Sequence, residues 1–62
     1  MFFEGKVYIS RRGGLKVMID KEGLCFSLDQ ERCSLLSINK NDRILIDLDE
    51  DKQKVLDFIK IE

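Results

Sequence analysis

The chain has no His, no Trp and no Pro, and its aromatic side chains are four Phe and one Tyr. Without imidazole, acid–base chemistry near neutral pH would need a carboxylate or Lys shifted by burial in a deep pocket. A domain of this size buries only about 60% of its unfolded surface and has little interior to give to one. No enzyme activity and no cofactor are therefore expected. Zinc would lack its usual ligands, because there is no His and the two cysteines, Cys25 and Cys33, are not spaced Cys-x-x-Cys. No apolar run approaches the ~20 residues of a membrane span. The opening stretch MFFEGKVYISRR holds no continuous apolar export core, so a cytoplasmic protein with no membrane partner is expected.

The chain of 62 residues fits one domain, 1–62, and its 44% apolar content is too high for a disordered tail. Cys25 and Cys33 lie among apolar neighbours and read as buried free thiols packing like small hydrophobes, with a disulfide left open. Phe2 and Phe3 read as core at the start of a strand, with a partner-binding patch as the alternative. Eleven cations nearly balance twelve anions, but unevenly. Residues 1–21 hold Lys6, Arg11, Arg12, Lys16 and Lys21 against Glu4 and Asp20. Residues 44–62 hold Lys52, Lys54 and Lys60 against Asp47, Asp49, Glu50, Asp51, Asp57 and Glu62. A polyanion suits the first end and a basic protein partner suits the acidic C-terminal third. The carboxylates of residues 47–51 lack the glycine of an EF-hand loop and read as a solvated hairpin tip, with no metal.

Hydrophobic period sets the elements. Alternation over residues 6–11, 15–20 and 24–28 predicts three strands, separated by turns at Gly13-Gly14 and Lys21-Glu22-Gly23. The period changes over Asp29–Leu36, where Ser27 and Asp29 both suit an N-cap and Ser27 with Gln30 suits a capping box. A short helix is expected there, then Ile38 and a polar turn, Asn39–Asp42. Residues 43–49 form the clearest strand. Residues 54–61 fit either a final strand or a helix capped by Asp49, and the strand is preferred. The expected order is β-β-β-α-β-β, a mainly β fold.

From Asp20 onward the sequence resembles the AbrB/SpoVT-type swapped-hairpin family, over DKEGLCFSLDQERCSLLSINKNDRILIDLDEDK. Gly23 falls at the turn glycine, Phe26-Ser27-Leu28 on the strand entering the helix, Leu36-Ser37-Ile38 on the Leu-Gly-Ile element, and Asn41-Asp42-Arg43-Ile44 on the Gly-Asp-x-Val turn. Asp29 replaces the usual proline, and Leu24 a common basic residue. The resemblance implies a small swapped-hairpin-like β-barrel, an intertwined homodimer, and DNA-binding regulation of transcription or an antitoxin role. A second likeness, of YISRRGGLKVMIDKEGLCFSL to the carbon storage regulator family, is carried by Ile9, Arg11, Arg12, Gly14 and Ile19, and implies RNA binding. A protein-interaction module without a nucleic-acid role is the third reading.

Two copies also suit the apolar positions. Val7, Ile9, Leu15, Val17, Ile19, Leu24, Phe26, Leu28, Leu36, Ile38, Ile44, Ile46, Leu48, Val55 and Ile59 are more apolar positions than one small subunit is expected to enclose. Dimerisation would also cover sheet edges. Arg11-Arg12-Gly13-Gly14 is the leading phosphate-binding segment, flanked by Lys6 and Lys16, with Lys21 and Arg32 as further candidates. Tyr8 offers a stacking face for an unpaired base.

Overall fold

The structure, a computed structural model, describes residues 1–61. Its elements are β1 (Phe2–Ile9), β2 (Leu15–Ile19), β3 (Leu24–Ser27), α1 (Gln30–Leu35), β4 (Arg43–Leu48) and β5 (Val55–Lys60). The strands form one antiparallel sheet in the order β3-β2-β1-β4-β5. The sheet curls into a half-barrel. The mainly β class and the β-β-β-α-β-β order are as expected, and the final segment is a strand.

β1 sits at the centre because it divides its length between two partners. Phe2–Lys6 pair with β4 and Lys6–Ile9 pair with β2. This double pairing explains why β1 begins at Phe2 instead of the expected Lys6: β4 supplies hydrogen bonds that the local sequence pattern does not announce. The strand also ends earlier than expected, at Ile9. Ser10–Gly14 form a turn in which the Gly13 amide donates to the Ser10 carbonyl and the Ser10 amide to that of Gly14. Gly13 (φ 92°) and Gly23 (φ 66°) adopt the left-handed backbone at the first two turns, where a side chain would be strained.

Period-2 alternation aims Val7, Val17, Ile19, Ile44, Ile46 and Leu48 at the concave face, where all are buried. Leu28, Cys33 and Ile38 bring the helical segment down onto them, and Phe3, Leu15, Phe26, Leu36 and Val55 pack around the margin. One chain therefore encloses nearly all the positions expected to need a twin. Ile9 and Ile59 are the exceptions, both about half exposed. Ile9 is the last residue of β1. Ile59 is turned outward by an irregularity in the β4–β5 ladder: Asp47 pairs with Asp57 but Leu48 pairs with Val55, which leaves Leu56 as an extra residue. Such a bulge inverts the alternation. Val55 and Phe58 thus share the inner face, and Phe58 takes the buried place expected for Ile59.

Asp29 is the N-cap of α1, its carboxylate accepting from the Glu31 amide at 3.1 Å. Gln30 does not complete a capping box with Ser27; its side-chain amide donates to the Leu28 carbonyl at 2.8 Å and its oxygen accepts from the Leu15 amide. Cys33 is the buried face of the helix, whereas Leu35 is 82% exposed.

Two further expectations need correction. Cys33 is buried but Cys25 is exposed, and both thiols are free. Leu24 and Phe26 face inward, so the residue between them must face out. Phe3 packs against the core, but Phe2 is 66% exposed, for the same reason of alternation. Among the described residues, no helix is long and apolar enough to cross a membrane.

Candidate nucleic-acid interface

Alternation sorts the candidate cations by face and end. Lys6, Tyr8 and Lys16 all project from the convex face, since their neighbours Val7 and Val17 are buried inside. Tyr8 lies directly opposite Lys16, and Lys6 is two residues back along β1, opposite Met18 on one side and Arg43 on the other. Arg11 and Arg12 stand exposed in the turn that continues β1. Arg11, Arg12 and Lys16 occupy the turn end of the β1–β2 hairpin, whereas Lys6, opposite Met18, lies on the same convex face at the far end of the β1–β2 ladder.

Lys21 does not join them. It lies in the β2–β3 turn, at the other end of β2, and five residues of strand at ~3.3 Å each separate the two ends. Arg32 is also set apart. Its guanidinium pairs with the Asp57 carboxylate at 2.7 Å, linking α1 to the edge strand β5. That contact spans the open seam of the half-barrel between β3 and β5, a cleft lined by Ser27, Asp29, Arg32, Val55, Asp57 and Phe58. Arg32 serves as a clasp across it.

The remaining charges separate paired cations from unpaired ones. Arg43 pairs with Glu4, Lys52 with Glu22 at 2.8 Å, and Lys60 with Asp42 at 3.4 Å. Glu4, first by hydrogen bonding and then by its charge, raises the pKa of the Arg43 guanidinium. The Asn39 amide donates to Asp42 at 2.7 Å and, with Lys60, holds its carboxyl below the ordinary value. Among the described residues, Lys6, Arg11, Arg12 and Lys16 have no carboxylate partner.

Lys21, Lys40 and Lys54 also have no carboxylate partner among the described residues, and of these Lys40 lies beside β1. The Asn41 amide donates to the Val7 carbonyl and the Val7 amide to that of Asp42, which sets the Asn39–Asp42 turn beside the upper part of β1. Local sequence around Lys40 shows only a polar turn. Its neighbourhood follows from β1–β4 pairing, which hydrophobic period does not reveal.

Tyr8 is half-buried. Interaction with the Cys25 thiol foremost, together with desolvation, raises its phenol above the ordinary pKa. The Cys25 Sγ in turn donates to the Met18 Sδ at 3.4 Å. Burial, with the charge of Asp29 adding to it, pushes the Cys33 thiol up, which leaves it protonated and unreactive near neutral pH. At the other end of the sheet, the Asp49 carboxylate accepts from the amides of Gln53 and Lys54 at 2.8 and 3.2 Å and so shapes the β4–β5 turn.

Compared with protein-family models, curated proteins and solved structures, the chain matches none.

Proposed function

We propose that this chain binds nucleic acid through the β1–β2 hairpin, which carries Lys6, Arg11, Arg12 and Lys16, as a small regulator of the kind the swapped-hairpin resemblance implies. One observation carries the reading: four cations that lie within one hairpin, residues 6–16, all lack a carboxylate partner among the described residues, while Arg32, Arg43, Lys52 and Lys60 each have one and the other unpaired cations, Lys21, Lys40 and Lys54, lie outside that hairpin segment. A guanidinium or ammonium without a protein partner is free to replace the counterions of a phosphate backbone. The DNA regulator and the carbon-storage-type RNA binder share this step. Binding of a labelled oligonucleotide, followed by fluorescence anisotropy over a salt series, tests it. With four phosphates neutralised, log K should fall against log salt with a slope of about −3 to −4. No binding at low salt, or binding indifferent to salt, would refute the reading.

The functional unit in this proposal is a homodimer. What supports two copies is the outer surface, since the interior is filled within one chain. Leu45 and Ile59 are paired neighbours on the convex face, and exposed Phe2 is on the same face two residues along β1 from the partner of Leu45. A second copy would cover these side chains. Light scattering is expected to give twice the chain mass, reduced to one chain by Ile59→Lys; a single-chain mass for the unaltered protein removes the dimer from the proposal.

The protein-partner reading has its own surface at the opposite end. There Glu50 and Asp51 are exposed and have no cation partner among the described residues. A basic protein is the occupant this turn suits.

A further inference from the structure

We infer that β3 is an interaction edge of the sheet, and that its occupant is β3 of a second copy, paired antiparallel about a two-fold axis at Phe26. The contact is separate from the outer-surface dimer above and involves no nucleic acid.

The two edges of the half-barrel differ. In an antiparallel ladder, alternate residues bond the neighbouring strand and those between them point away from it. On β5 the Ile61 amide donates to the Arg43 carbonyl, so Phe58 and Lys60 turn their backbone groups to the open side. That edge is guarded. The Phe58 amide donates to the Asp57 carboxylate at 2.8 Å, Arg32 holds Asp57, and the strand carries the bulge. On β3 the Leu28 amide donates to the Leu15 carbonyl, so Cys25 and Ser27 face the open side. Leu24–Ser27 contain no charge and no Pro, and their ladder with β2 has no bulge. Shortness is the only guard on this strand. Leu24 and Phe26 pair with inward-facing Ile19 and Val17, yet they are only half-buried where Ile19 and Val17 are fully buried. One more strand would cover them.

The chemistry around Phe26 selects a second copy as the occupant. A two-fold contact sets a surface against itself, so the segment must complement its own reverse. With the axis at Phe26, Cys25 of each copy stands opposite Ser27 of the other, and these residues exchange the amides and carbonyls that face the open side. Leu24 stands opposite Leu28 of the second copy, so inward side chains meet inward ones. At the flanks, Lys21 of each copy comes beside Asp29 and Glu31 of the other. None of these three has an ion-pair partner among the described residues. A cation before the strand and two acids after it, idle within one chain, thus complement each other between two. Four residues of strand fall far short of the roughly 20–30 residues a side of a stable interface. The contact is therefore weak, with a Kd on the order of hundreds of micromolar.

The test uses Ile59→Lys as its background, so that the outer-surface dimer does not contribute, and reducing conditions, so that Cys25 stays a thiol. Sedimentation equilibrium should show one chain at about 10 µM and a growing share of dimer towards about 1 mM. Cys25→Pro in this background removes an amide that faces the open edge and no bond to β2. It should raise the Kd at least about tenfold. Two charge variants decide the matter even if the proline unfolds the edge. Lys21→Glu and Glu31→Lys, each alone, set like charges across the axis and should self-associate about 5- to 30-fold more weakly than the background chain. An equimolar mixture of the two should recover the association, because opposite charges then meet again. A single-chain mass throughout, association indifferent to Cys25→Pro, or charge variants that associate no better mixed than apart would overturn the inference. So would a chain that stays single but takes up an extended peptide of another protein at the Cys25 and Ser27 amides. These runs contain no nucleic acid, so their failure leaves the phosphate-binding reading standing.

Discussion

Gly5→Ala is expected to lower the unfolding free energy by about 1–3 kcal/mol, the usual cost of forcing an extra carbon into a packed interior. Gly5 is buried on the concave face at the residue before β1 passes from β4 to β2. A Cβ there would lie 2.6 Å from Val17 Cγ2 and 2.9 Å from the Met18 carbonyl oxygen. The first contact can be eased by a rotamer change, but the second is with backbone and requires the strands to separate. Single cores in domains this small seldom supply more than about 3–5 kcal/mol. The substitution should therefore move the urea midpoint far down, or leave the chain unfolded at ambient temperature. Leu56→Ala, at an exposed position on the bulge, should stay within about 0.5 kcal/mol. Equal midpoints for Gly5→Ala and the unaltered protein would mean that β1 does not press against β2 as described.

The second large effect concerns binding. Arg11→Glu with Arg12→Glu is expected to reduce nucleic-acid affinity by on the order of a hundredfold at low salt. Each lost charge-assisted contact contributes about 1.5 kcal/mol, or roughly tenfold. The salt slope should shrink by about 1.5, because two phosphates are no longer neutralised. Stability should hardly change, since both side chains are exposed and have no ion-pair partner among the described residues. Lys21→Glu is the matched control at the far end of β2 and should leave the slope nearly intact. If Lys21→Glu and the double variant weaken binding alike, net charge governs the interaction and the hairpin tip has no special part in it.

The strands that hydrophobic alternation could identify are the ones it placed well. Val17 with Ile19, and Ile44 with Ile46 and Leu48, are two residues apart, inward and buried. The same rule already implied that Cys25, between Leu24 and Phe26, faces outward; reading its apolar neighbours as surroundings obscured this. β5 resisted for a different reason. Val55 and Phe58 are three apart, an odd spacing that suits a helix, and only the bulge at Leu56 lets both face inward from a strand. Nothing local announces that bulge. The candidate site divided in the same way. Arg11, Arg12 and Lys16 come together at the turn of one hairpin, and Lys6 lies further down its convex face. Lys21 and Arg32 separate from them because strand length and an ion pair to Asp57 lie outside what spacing can convey. Lys40 needed the long-range pairing of β1 with β4.

The seam between β3 and β5 has a consequence for how the molecule breathes. β1 is bonded on both sides, whereas β3 and β5 each have one bonded neighbour and are linked across the gap by the half-exposed Arg32–Asp57 pair. Exposed pairs of this kind contribute at most about 1 kcal/mol and weaken with salt. Amide deuteration should accordingly advance from the two margins inward, with β3 and β5 losing protection first and Val7 last. Raising ionic strength would hasten exchange at the margins without touching the centre, so the same variable that weakens the proposed phosphate contacts would also loosen the open side of the half-barrel.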